Sequence, residues 1–242
     1  MLRTHQGERL RTALSYLRNQ TVALVPWEVL LIVDESSAGA ARLALASSEN
    51  SSILLRILEV PKPVPQGTWE WVLKEAKYEV LCFVDDGHWI GPNWVQVASE
   101  TFSGDPALGA AGCLCEPVFE QSEPSWFEKF HSIYGILTES DFECHHEPFE
   151  YLNDAGLCVR TKALMQLVRG GFRCLISERI DSHLSVRDKT ELSLAIRMAG
   201  WSIRVEPRLR LRQFIPAERL TWRHLRRLHR SHEAARTLLD AY

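Results

Sequence analysis

Val80-Leu81-Cys82-Phe83-Val84-Asp85-Asp86 is the stretch on which the fold turns: five apolar residues followed without transition by two acids. A short continuous apolar run bounded by polar residues fits a strand buried on both faces. Trp27-Glu28-Val29-Leu30-Leu31-Ile32-Val33 has the same build and ends in Asp34-Glu35-Ser36-Ser37. Between the two lie a helical pattern over residues 40–46, a strand candidate over 53–58, a turn carrying Pro61, Pro63 and Pro65, and a helical pattern over 69–76. Continuous apolar strands alternating with helices predict an α/β fold, a mostly parallel sheet with helices on both faces, in which ligands bind beyond the carboxyl ends of the strands. Both acidic strand ends, Asp34 and Asp85-Asp86, are then expected at one crevice, and a nucleotide is its natural ligand.

Upstream of these strands, Leu10, Leu14 and Leu17 are spaced for a helix near residues 8–19. Downstream, a helix is expected over 93–102 and a small-residue strand over 108–115. Trp126, Phe127, Phe130, Ile133, Tyr134 and Leu137 then recur at helical spacing in a stretch rich in acids. A strand candidate at 155–159 follows. The segment Ser185-Val186-Arg187-Asp188-Lys189-Thr190-Glu191 opens a helix over 192–198, and two strands are expected at 201–205 and 209–214, with a last helix from about Leu220. No internal repeat, low-complexity block or Gly/Ser linker interrupts the chain, so one domain over residues 1–216 and a basic amphipathic helix over 217–242 are expected.

The 242 residues hold 28 Lys+Arg against 31 Asp+Glu and are 45% hydrophobic, which excludes disorder, collagen and a disulfide-stapled miniprotein. A formal charge of −3 gives no sign of a nucleic-acid protein, but it hides an asymmetry. Residues 201–242 carry ten Arg against four acids, a formal +6, which leaves −9 on the rest. No apolar run approaches the roughly 18 residues of a membrane helix, and the charged start Met1-Leu2-Arg3-Thr4-His5 lacks a secretory apolar region. The cytoplasm is therefore the default compartment. Six cysteines without a Cys-x-x-Cys pair, several inside apolar runs, read as reduced core residues.

Each constellation has a functional and a plain reading. Adjacent carboxylates repel unless a cation or sugar hydroxyls take up their charge, so Asp85-Asp86 points to a ligand; the plain alternative is a solvated turn. His88 is either an imidazole ligand two residues beyond Asp86 or a solvent-exposed loop residue. Cys144-His145-His146 and Cys113-x-Cys115 lack the spaced pairs of a structural zinc site. There is no Gly-x-Ser-x-Gly, no phosphate loop and no Gly-x-Gly-x-x-Gly, which disfavours serine hydrolases, P-loop enzymes and fingerprint-bearing dehydrogenases. The last helix sets Leu225, Leu228, His232, Ala235 and Leu239 on one face and Arg223, Arg226, Arg227, Arg230 and Arg236 elsewhere. Such a helix either lies on an anionic membrane surface or packs on its own domain with its arginines in water; nucleic-acid binding is opposed by the acidic remainder.

Taken in order, these segments resemble the family 2 glycosyltransferases of the GT-A fold, which transfer a sugar from a nucleotide-diphosphate donor. The resemblance covers most of the chain. It rests on Val29-Leu30-Leu31-Ile32-Val33-Asp34, on Phe83-Val84-Asp85-Asp86 with Pro92-Asn93-Trp94, on Ala155-Gly156-Leu157-Cys158-Val159-Arg160 and Gly171-Phe172, and on Thr190-Glu191-Leu192 through Ala199-Gly200-Trp201. Glu206-Pro207-Arg208, Phe214-Ile215-Pro216 and Leu220-Thr221-Trp222 complete it. The resemblance implies Asp34 for the donor base, Asp85 for the ribose, Asp86 for a divalent metal, Mg or Mn, and a carboxylate base beside Thr190. The implied reaction is inverting: the base deprotonates an acceptor hydroxyl that attacks the anomeric carbon. The implied partners are a nucleotide-diphosphate sugar and a sugar, lipid-linked or protein acceptor; for a lipid-linked one, the basic C-terminal helix would rest on the inner face of the membrane.

The sequence departs from that pattern where chemistry is concentrated. Gly87 stands where the family commonly has a third carboxylate, which leaves Asp86 and His88 as the metal pair. Asp188-Lys189 stands where two acids are expected, so the base falls to Asp188 or Glu191. Gln213 replaces a His, and Asp154 a Gly. Only Thr4-His5-Gln6-Gly7 remains of the family's opening strand and turn, so the first strand is expected to be missing or truncated, either because the start lies upstream of Met1 or because this copy has lost it. Two readings follow: a glycosyltransferase, or a catalytically degenerate relative that binds a nucleotide, sugar or protein without transfer.

Overall fold

A computed structural model describes residues 4–21, 25–34, 38–39, 42, 54–60, 68–145, 148–175 and 188–240. In chain order these form α1 (Thr4–Arg18), β1 (Glu28–Asp34), β2 (Leu54–Val60), α2 (Thr68–Glu75), β3 (Val80–Cys82), β4 (His88–Ile90), α3 (Trp94–Gly104), β5 (Leu108–Phe119), α4 (Glu139–Cys144), β6 (Cys158–Arg160), α5 (Thr161–Arg169), α6 (Asp188–Met198), β7 (Ser202–Ile215) and α7 (Trp222–Leu239). The helix expected over 40–46 and the acidic segment before Asp188 fall almost wholly outside the described residues.

The expected α/β class is what the chain forms, but the pairing is mixed. One sheet has the order β3-β6-β5-β7-β4; β1 and β2 make a separate parallel pair. Within the larger sheet only β5 and β7 pair in parallel, while β6 runs antiparallel to both β3 and β5, and β4 antiparallel to β7. The apolar runs read as parallel strands do share a direction in β3, β5 and β7. The departure comes from two three-residue strands: β4, too short to leave a signal, and β6, which overlaps the strand candidate at 155–159 but runs against its neighbours.

Burial explains the long elements. All eight residues from Leu108 to Cys115 are buried, with helices packed against this central strand, which is why small and apolar residues run there without alternation. The two strand candidates at 201–205 and 209–214 are one strand, β7, whose register jumps between the pairs Gly112↔Val205 and Leu114↔Arg210. Glu206 and Arg208 stand in that bulge, joined at 2.9 Å. The aromatic spacing over 126–137 makes two 3₁₀ turns, Phe127–Lys129 and His131–Tyr134, and not a helix, ending at Gly135 in the left-handed region. Gly156 is required twice: its φ is +64°, and a Cβ there would meet Trp94 at 2.7 Å and Cys113 at 2.8 Å. All six cysteines are free thiols; Cys82 and Cys144 are exposed, so only four are core residues.

α7 packs on the body. Leu225 and Leu228 join the main core, Ala235 and Leu239 a smaller one with Cys174, and the arginines at 223, 226, 227, 230 and 236 are exposed. No helix among the described residues is long and apolar enough to cross a membrane. Beside this body, a cavity of about 1010 Å³ is lined by every residue from 29 to 33 and from 80 to 84. Side chains alternate across a strand, so consecutive lining marks strand edges and not faces. β1 and β3 each lack a described partner on one edge, and no described strand fills the space between the two sheets. Leu10, Leu14 and Leu17 of α1 and Trp94 and Phe102 of α3 also line this cavity.

Candidate functional site

The acids Asp85 and Asp86 stand where the chain leaves β3, in a tight turn into β4. The turn is fixed from three sides. The Phe83 amide donates to the Leu157 carbonyl at 2.9 Å, the His88 amide to the Asp85 carbonyl at 3.0 Å, and the Phe214 amide to the Gly87 carbonyl at 2.8 Å. The Asp85 side chain is 62% exposed, whereas His88, opposite Gln213 in the β4–β7 pair, is buried. Its Nδ1 accepts the Asp85 amide at 3.3 Å, and the ring lies beside Gln213, its partner in the strand pairing. Burial pushes the His88 pKa down, with Asp85 opposing and Lys189 assisting. His88 is thus a strand residue bound to its neighbours and not a loop ligand.

Lys189 reaches this turn from the start of α6. Its Nζ is 3.5 Å from Asp85 Oδ1 and 5.9 Å from the centre of the Phe83 ring, with the side chain 19% exposed. The ammonium holds the Asp85 carboxyl below its usual range, with His88 and Arg219 adding to the effect and desolvation opposing it. Asp86 moves upward, chiefly through desolvation and then through Asp85, while Arg9 and Arg219 oppose. The first turn of α6 is anchored by Asp154, whose Oδ1 accepts the Thr190 amide at 2.7 Å and its hydroxyl at 2.9 Å. A carboxylate that satisfies an otherwise unpaired first-turn amide acts as a cap from a distant part of the chain.

The other expected site residues separate. Glu191 is fully buried: its Oε1 accepts the Leu175 amide at 2.8 Å and its Oε2 the Cys174 thiol at 2.9 Å. It does not line the cavity, and its role is to tie residues 174–175 to α6. A base must reach an acceptor hydroxyl, so the catalytic expectation for Glu191 is corrected to a positioning one. Asp34 closes β1 and Asp188 opens α6, but their side chains, like His146, lie outside the described residues. Arg9 and Arg219 line the same cavity, and both act electrostatically on Asp86. Neither sits in a motif; only the folded arrangement brings them there.

The residues present do not fit a divalent metal. Asp85 is paired with an ammonium, His88 is buried with its Nδ1 taken by the Asp85 amide, and Gly87 has no side chain. Among the described residues no group of three His, Cys, Asp or Glu is placed to hold an ion. The expected pair Asp86 and His88 is therefore not a metal site in this arrangement, because His88 faces Asp85 and Gln213.

No family model and no curated protein matches the sequence. Two solved structures are similar in fold. The mannosyltransferase PcManGT from Pyrobaculum calidifontis, in complex with GDP-Man and Mn²⁺, aligns with a TM-score of 0.59 at 13% identity over 87% of this chain and 54% of its own. GalNAc-T7 with UDP, GalNAc and Mn²⁺ aligns with a TM-score of 0.49 at 13% identity over 78% of this chain and 38% of its own. The chain thus spans about half the length of the first and less of the second. The fold is that of GT-A glycosyltransferases.

Proposed function

We propose that the chain acts on a nucleotide-diphosphate sugar: a glycosyltransferase of the family 2 kind, its donor seated where the cavity opens between Asp85-Asp86 and Lys189. The observation that supports this is that Asp85, Asp86, Lys189, Arg219 and Arg9 all line one cavity of about 1010 Å³, which reaches the carboxyl end of β3. A crevice of this size, lined largely by apolar side chains, with Asp85, Asp86 and Lys189 past the carboxyl end of β3 and Glu28, Lys77 and Glu79 near the strand starts, suits a ligand that is part ring system and part charged. Asp34 would hold the base and Asp85 the ribose. Asp188, the carboxylate left at the start of α6, would deprotonate the acceptor hydroxyl, with inversion at the anomeric carbon.

A second reading, a binding module without transfer, is favoured by Lys189 beside Asp188 and by the enclosure of Glu191. One experiment separates them. The purified protein is mixed with a panel of UDP- and GDP-sugars, with thermal stabilisation and release of nucleoside diphosphate followed together. Stabilisation by a sugar nucleotide with release supports the transferase. Stabilisation without release in the presence of candidate acceptors selects the binding module. If no sugar nucleotide raises the melting temperature at millimolar concentration, both readings fall.

A further inference from the structure

We infer that Cys82 and Cys158 form a redox modification site in the cavity wall: Cys82 is the thiol that a peroxide oxidises, and Cys158 is the thiol that resolves it to a disulfide. The inference stands apart from the donor reading and does not depend on it.

Strand pairing and side-chain contacts carry it. The two cysteines stand opposite each other in the antiparallel β3–β6 pair. The Phe83 amide donates to the Leu157 carbonyl and the Thr161 amide to the Glu79 carbonyl, so the backbone bonds of this ladder fall at Phe83 with Leu157 and at Glu79 with Thr161. Antiparallel pairs alternate, which makes Cys82 and Cys158 a non-hydrogen-bonded pair, a position where Cα atoms are about 4.5 Å apart and within the span of a disulfide. The Cys158 thiol donates to Cys82 Sγ at 3.0 Å; the Gly156 carbonyl, its other acceptor, is farther at 3.6 Å. Cys82 is exposed and lines the cavity, which gives a small oxidant access, while Cys158 is fully buried.

The surroundings give the two sulfurs different roles. The Cys158 hydrogen bond draws the Cys82 pKa down, desolvation opposes, and the Trp94 indole assists. The Nε1–H of that indole is buried and has no acceptor in hydrogen-bond geometry among the described residues, so negative charge on Cys82 Sγ meets a donor that nothing else uses. Burial raises the Cys158 and Cys113 thiols well above their ordinary range, and the Cys113 thiol is turned to the Ala155 carbonyl at 3.2 Å. Cys82 is therefore the nucleophile, since the thiolate is the reactive form. Its sulfur attacks one peroxide oxygen, the O–O bond breaks, and the departing hydroxide takes up the proton Cys82 has given up, which leaves a sulfenic acid and one water. The Cys158 sulfur then attacks that sulfur; the S–S bond forms, the S–O bond breaks, and hydroxide leaves with the Cys158 proton as a second water. One peroxide is reduced and two thiols are oxidised to one disulfide.

The test is titration of the reduced full chain with hydrogen peroxide, followed by alkylation of the remaining thiols after denaturation and peptide mass spectrometry without reductant. Expected is a Cys82–Cys158 linked peptide after one equivalent, reversed by dithiothreitol and formed at least about tenfold faster than Cys144, the other exposed thiol, is oxidised. Cys158→Ala should leave Cys82 as a sulfenic acid that dimedone captures, and Cys82→Ser should abolish both products. Absence of the linked peptide, a disulfide through Cys113 instead, or oxidation of Cys144 as fast as Cys82 overturns the proposal. So does Cys82 carried past the sulfenic acid in the unaltered protein, because a resolving thiol in contact prevents it. Should the buried Cys158→Ala variant fail to fold, the mapping of the unaltered protein decides alone.

Discussion

Lys189 and Glu191 lie two residues apart on α6 and do opposite things. Successive helical residues turn by about 100°, so two positions apart means about 200° around the axis. Lys189 faces the crevice while Glu191 faces the interior, where it takes up the Leu175 amide and the Cys174 thiol. Glu191→Ala should therefore act on stability. Stranding a buried amide costs about 1–3 kcal/mol, to be read as a lower urea midpoint with sugar-nucleotide affinity unchanged. Unaltered stability with lost nucleotide affinity would return Glu191 to the site. Of these residues the sequence made Asp85-Asp86 legible, because an apolar run ending in acids is a local pattern, and it marked Lys189 as out of place. It could not show that Lys189 meets Asp85, 104 residues away, or that Asp154 caps α6 from 36 residues away. Such pairings leave no trace in spacing.

α7 is legible as an amphipathic helix, and in the fold its apolar stripe is buried against the body while its arginines are exposed. Trp222, half exposed, packs against Trp126 at 5.0 Å and Phe130 at 6.1 Å. The same aromatic stretch has helical spacing yet forms 3₁₀ turns, which repeat every three residues and resemble helical spacing over a short window. β7 was read as two strands because the bulge at Glu206 to Arg208 interrupts its apolar alternation. The first turn of α7 also carries a pH dependence. His224, beside Tyr134, has its pKa lowered to about 4, by burial first and then by Arg219 and Arg227, with Glu218 opposing. The unfolded chain then takes up the proton first as pH falls, so this contribution to stability is complete above about 6.5 and is lost towards 4. His88, also lowered, adds the same sign. The melting temperature should fall from pH 7 to pH 4 more steeply in the unaltered protein than in His224→Gln; equal slopes would show that His224 does not couple to folding.

At the scale of the whole molecule, the −9 body and +6 end are separate in sequence but interleaved in space. Arg210 pairs with Glu139 at 2.6 Å, Arg208 with Glu100 at 3.0 Å and Arg204 with Asp105 at 3.4 Å, so the β7 arginines answer acids of the body, while those of α7 remain outside. The architecture is less continuous than the charge. β5 is buried from Leu108 to Cys115 and paired with both β6 and β7, whereas β1, among the described strands, pairs with β2 alone and turns its other edge to the cavity. An isolated pair of strands is marginal in water, and opening free energies follow burial and pairing. Amides of β5 should therefore exchange only through global unfolding, and those of β1 through local opening. In hydrogen exchange followed by mass spectrometry, peptides covering Glu28–Asp34 should lose protection on the order of 100-fold sooner than peptides covering Leu108–Phe119. Equal protection of the two strands would mean that the edge of β1 is sealed in solution, and that the cavity between the sheets is not the open crevice on which donor binding depends.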